Sequence, residues 1–115
     1  MAKVVYNACY GGFSLSDEAV EMYLELKGLN YTKVKTRFGG SSFQVDGDPD
    51  FYSRDIKRHD PTLVKVVELL GDKANGFFTK LALEEVADGT LYRISERQGM
   101  ESVETMGNIV WEMAR

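Results

Sequence analysis

Residues 7–16 read Asn-Ala-Cys-Tyr-Gly-Gly-Phe-Ser-Leu-Ser, between the apolar run Val4-Val5-Tyr6 and a helical pattern that starts at Ser16. The stretch is either a glycine loop that grips a ligand, with a cysteine beside it, or a tight turn between a strand and a helix. A phosphate loop needs lysine and a hydroxyl residue after its second glycine, and a dinucleotide fingerprint needs three glycines in register. Tyr10-Gly11-Gly12-Phe13 meets neither requirement. Asp17 and Glu18 already occupy the positive end of the helix dipole, and no lysine or arginine stands between Lys3 and Lys27 to neutralise an anion. The stretch therefore reads as a turn whose glycines let Tyr10 and Phe13 point inward.

Working outward, Lys3 to Asn7 reads as a short strand that ends before the glycines. Ser16 suits an N-cap, with Leu15 stapled to Val20 and Gly28 as the stop. Between them, Ala19, Met22, Tyr23 and Leu26 share one face, widened by Val20 and Leu24. Tyr31 to Phe38 alternates, with Thr32, Val34, Thr36 and Phe38 expected inward and Tyr31, Lys33, Lys35 and Arg37 outward. Turn residues dominate from Gly39 to Asp55, where Phe43 and Val45 suit a short strand. Asp60-Pro61 opens a second helix with Leu63, Val66, Val67 and Leu70 on its face, and Gly71 ends it. Beyond Asn75-Gly76, strands are expected over Phe77 to Val86, Leu91 to Glu96 and Met100 to Thr105, with turns at Asp88-Gly89 and Gln98-Gly99. The pattern predicts an α+β domain over residues 1–115: two helices packed on a mainly antiparallel sheet, with a C-terminal β-meander. Residues 106–115, which hold Ile109, Val110 and Trp111, suit a docking tail.

The 115 residues are 43% hydrophobic and 28% charged, ordinary for a globular chain, and no apolar run approaches the roughly 20 residues that span a membrane. The opening, Met1-Ala2-Lys3-Val4, does not read as a secretory signal, and a lone cysteine suits a reducing compartment, so a cytoplasmic protein is expected. A net charge of −4 argues against nucleic acid as a bulk electrostatic partner.

Three constellations carry chemistry. Cys9, His59 and Asp60 are chemically adequate for acyl transfer, which would make the chain a cysteine-dependent hydrolase or transferase. The plain reading makes Cys9 a small buried apolar residue and His59 part of a solvated helix entry. Asp46, Asp48 and Asp50 resemble half a calcium loop, but Phe51 and Lys57 stand where glycine and glutamate are needed. No metal or cofactor is expected. The basic row Lys33, Lys35 and Arg37, with Arg54 and the aromatic Tyr52, offers a binding surface for a host protein or a small anionic ligand, and more weakly for single-stranded nucleic acid. Tyr10, Gly11 and Gly12 complete the candidate ligand-binding set.

The run Val4 to Ser16, the segment Phe51-Tyr52-Ser53-Arg54-Asp55-Ile56-Lys57-Arg58-His59-Asp60-Pro61 and the helix end Leu70 to Gly76 resemble a group of small uncharacterised proteins of tailed phages, prophages and bacteria. The resemblance covers the chain to about Val103. It departs at Arg97-Gln98-Gly99, where an acidic, aromatic turn is the pattern, and over Asn108 to Arg115, where a basic tail ending in tryptophan is. It implies a viral or prophage context and no reaction. The sequence as a whole suits a non-enzymatic interaction protein that forms a homo-oligomer.

Overall fold

The first strand, β1 (Ala2–Asn7), is buried on both faces, with Val4, Val5 and Asn7 fully enclosed. A strand covered on both sides reads as a continuous apolar run, which explains Val4-Val5 without alternation. The computed structural model describes residues 1–35, 41–46, 51–107 and 112–114, and of Arg54 the backbone alone. Among these residues the elements run β1, α1 (Asp17–Leu26), β2 (Tyr31–Lys35), β3 (Ser41–Val45), α2 (Pro61–Leu70), β4 (Leu81–Val86), β5 (Tyr92–Arg97) and β6 (Met100–Thr105). The chain is an α+β protein, whose described residues form two α-helices and small antiparallel sheets. Neither helix is long and apolar enough to cross a membrane.

Both helices start and stop where their cap residues dictate. Ser16 Oγ accepts the Ala19 amide, and α1 ends at Gly28, whose φ of +70° only glycine adopts cheaply. Asp60 accepts the Thr62 amide, Pro61 occupies the first helical position, and Gly71 closes α2. The two helices pack on each other, and α2 also packs on β1. Ala19, Val20, Tyr23 and Leu24 from one helix and Leu63, Val64, Val66 and Val67 from the other meet Val5, Leu15, Phe43, Ile56 and Ala74 in the core.

Strand pairing departs from a simple meander. β5 and β6 form the expected hairpin, closed by Gln98 and Gly99, both with positive φ. β4 pairs antiparallel with β1, Val5 opposite Leu83, instead of with β5. The strand expected to begin at Phe77 begins only at Leu81. Phe78 has φ +56° and Thr79 is tied into the preceding turn, so regular pairing cannot start sooner.

The alternation expected for β2 is not realised: Tyr31 alone is partly buried, and Thr32, Lys33, Val34 and Lys35 are all exposed. Tyr31 packs against the core and its ring centroid lies 6.0 Å from that of Phe43, while Lys33 stands opposite Phe43 in the register. Lys33 Nζ reaches Asp17 at 3.5 Å and Glu21 at 3.9 Å on α1. Thr32 and Val34, expected inside, are exposed. A tyrosine ring and a lysine stem cover apolar surface as well as a valine does while their polar tips find partners, here Glu25 for Tyr31. Thr36, Arg37 and Phe38 lie outside the described residues.

Candidate functional site

The glycine turn is wedged between two others. Asn7, fully buried at the end of β1, holds them together. Its Oδ1 accepts the amides of Cys9 at 3.1 Å and Lys80 at 3.0 Å, and its Nδ2 donates to the carbonyls of Cys9 at 2.7 Å and Gly99 at 2.9 Å. One side chain thereby ties the 9–12 turn to the approach to β4 and to the β5–β6 hairpin turn. On the other flank the buried Thr79 hydroxyl shares its one proton between the carbonyls of Gly12 at 2.8 Å and Phe77 at 3.1 Å, and its oxygen lies 2.8 Å from Ser14 Oγ. Asparagine and threonine suit these posts because each saturates several backbone groups in little volume.

Behind the turn lies an ion pair. Arg58 Nη1 and Nη2 grip the two oxygens of Glu101 at 2.5 and 2.9 Å, and Glu101 Oε1 also accepts the Asn7 amide at 2.9 Å. The guanidinium carbon sits 3.5 Å from the centroid of the Phe13 ring, and the Arg58 carbonyl accepts the Val5 amide. On the second edge of β1 the amides of Val5 and Asn7 are thus taken by one carbonyl and one carboxylate instead of by a strand.

What this frame presents to solvent is aromatic. Phe77 and Phe78, on the turn before β4, are 83% and 80% exposed, and Tyr10 is 63% exposed. Tyr10 therefore points outward, against expectation. Gly11 and Gly12 do turn the chain so that Phe13 enters, but the space beneath Tyr10 is filled by Gly99 and the hairpin turn. Beside Phe77 runs a groove of about 570 Å³ lined by Ser14, Leu15, Asp17, Ser41 and Asn75. A second, of about 330 Å³, opens beside Tyr10 between Arg97, Gln98 and Met100.

The other candidates are scattered. Cys9 sits beside Gly99 at the turn end of the β5–β6 hairpin. His59 Nδ1 lies 2.6 Å from the Tyr92 hydroxyl at the opposite end of β5. Five residue-to-residue steps separate those ends by roughly 16 Å, and Cys9 and His59 are not hydrogen-bonded to each other. Lys33 is engaged by Asp17 and Glu21, Lys35 is exposed, and Tyr52 is half-exposed beside a smaller groove that includes Asp17 and Phe43. The Arg54 side chain, Arg37, Asp48 and Asp50 lie outside the described residues, among which no cluster of His, Cys, Asp or Glu is arranged to hold a metal.

Asp60 is a structural cap. Burial pushes its carboxyl up, but bonds from the Tyr23 hydroxyl at 2.8 Å, the Thr62 amide and Lys27 outweigh this and hold it below its ordinary value of 3.8. A carboxyl depressed in the folded state adds stability above its unfolded value, and that stability is lost as pH falls from about 4 through the lower folded value. Asp60→Asn should accordingly unfold with a weaker pH dependence than wild type below about pH 4. Thermal melts in that range check this, and parallel curves for the two proteins would refute it.

Sequence reasoning did not single out Asn7, Thr79, Phe77, Phe78 or the Arg58–Glu101 pair. Two phenylalanines directly after an Asn-Gly turn were the available signal for an exposed pair, since a ring beside a turn has no alternating partner position to enter. No protein-family model matches this chain, and neither a curated protein nor a solved structure does.

Proposed function

We propose that this chain is a non-enzymatic interaction protein of phage or prophage context, a homo-oligomer in the host cytoplasm that binds a host protein through the Phe77–Phe78 turn. The observation that supports the reading is that adjacent, largely exposed pair. Burying a phenylalanine is worth about 1.5–3 kcal/mol, and the fold forgoes it twice while also holding Phe78 at a positive φ. The turn is braced by Thr79 and by contact with Gly11, so the rings are offered on a fixed support, as aromatic anchors in protein interfaces are. The groove beside Phe77 would receive a partner side chain.

The test is photo-cross-linking from a benzophenone amino acid at position 77 in host extract. A discrete adduct is expected, competed away by unlabelled wild type. Phe77→Ser/Phe78→Ser should compete at least about tenfold more weakly, since each anchor is worth about 2 kcal/mol, with its melting temperature unchanged or raised. Equal competition by the double variant would sink the proposal.

A further inference from the structure

We infer that the outer edge of β5 is a homodimer interface, in which two copies pair antiparallel about a two-fold axis through Ile94. The inference rests on the homo-oligomer reading above and names its surface. The loop Gln98-Gly99 holds two residues, so Arg97 and Met100 form its closing hydrogen-bonded pair, and Ser95–Ser102 and Arg93–Glu104 follow at alternate positions. The amides and carbonyls of Tyr92, Ile94 and Glu96 therefore point away from β6. Among the described residues no backbone hydrogen bond outside the hairpin reaches them. The strand has no proline and no bulge to blunt this edge.

Symmetry and charge then select the register. A two-fold axis perpendicular to the sheet keeps each side chain on its own face, so only residues of equal parity can stand opposite each other. With the axis at Arg93, the two Arg93 guanidiniums face each other. With the axis at Ser95, Arg93 faces Arg97 of the second copy, twice. With the axis at Ile94, Tyr92 faces Glu96, Arg93 faces Ser95, Ile94 faces itself and exposed Leu91 faces Arg97. Only this last register opposes no like charges, and its hydrogen-bonded pairs are the residues whose backbone groups point outward. The product is a four-stranded sheet, β6-β5-β5-β6, with β5 no longer an edge.

Light scattering on purified wild type at tens of micromolar should give twice the 12.9 kDa of one chain. Glu96→Pro removes an outward amide from an exposed residue and leaves the hairpin ladder intact, so it should give the monomer mass with an unchanged circular dichroism spectrum. In a Cys9→Ser background, Arg93→Cys/Ser95→Cys places cysteines across a non-hydrogen-bonded pair within disulfide reach. Mild oxidation should convert most of it to covalent dimer, whereas Arg93→Cys/Arg97→Cys should not link. If Glu96→Pro fails to fold, the cross-linking pair decides alone. A wild type that stays monomeric overturns the inference and the oligomer reading together. A dimer that survives Glu96→Pro and gives no cross-link overturns the inference and leaves that reading standing.

Discussion

Replacing Glu101 by alanine is expected to cost about 3–5 kcal/mol of folding stability, the range for removing one partner of a buried ion pair. Glu101 is only 6% exposed and takes three hydrogen bonds, two from Arg58 and one from the Asn7 amide. Alanine would leave a guanidinium enclosed over the Phe13 ring without a counter-charge, and an amide of β1 with no strand to take it. Against a total stability of about 5–15 kcal/mol, that is a large share of what holds the chain folded. The melting temperature should fall by roughly 15–25 °C for a domain of this size. Arg58→Met/Glu101→Leu should recover part of the loss, because a buried pair replaced by apolar residues of similar volume is often close to neutral. A residue of about 1–3 kcal/mol should persist, the cost of the orphaned Asn7 amide. Urea melts of the three proteins check this, and a loss under about 1 kcal/mol for Glu101→Ala would mean the pair is solvated.

The elements legible in the sequence are those whose signals are local. Ser16, Gly28, Asp60-Pro61 and Gly71 act within one turn of chain, and Gln98-Gly99 sets its hairpin by its own backbone angles, so each reads correctly without its surroundings. The illegible features depend on what arrives from far along the chain. β4 joins β1 across more than seventy residues, a choice that no period in Leu81–Val86 encodes. Tyr31 takes the core side of β2 because α1 supplies Glu25 to its hydroxyl, while Lys33, exposed on the same side, reaches Asp17 and Glu21. Nothing local to Arg58 or Glu101 signals burial, since the two become interior only through each other. The strand expected from Phe77 starts later because the Phe78 backbone angle, φ +56°, forbids pleated pairing there.

The two adjacent glycines separate two physical reasons for having no side chain, and their alanine variants should differ sharply. At Gly12 the backbone is left-handed, φ +84°, and an added Cβ would meet nothing within 4 Å. Gly12→Ala should therefore cost about 1–2 kcal/mol, the strain of an L-residue in that region. At Gly11 no left-handed angle is required, but a Cβ would land 2.6 Å from the Phe78 carbonyl carbon and closer still to its oxygen and Cβ. The carbonyl carbon and oxygen are backbone atoms and the Cβ is fixed to that backbone, in a turn held by Thr79, so none can step aside as the end of a flexible side chain would. Gly11→Ala should cost at least about 3 kcal/mol, the upper end of what overpacking costs. It should also loosen the 76–79 turn, measured as faster amide exchange at Thr79 and Lys80, and so weaken photo-cross-linking from position 77 in whatever fraction remains folded. Gly12→Ala should leave that cross-link intact, because its strain stays within its own residue. Equal losses for the two variants would mean that Gly11 serves only chain flexibility, and the fixed support argued for the phenylalanine pair would fail with it.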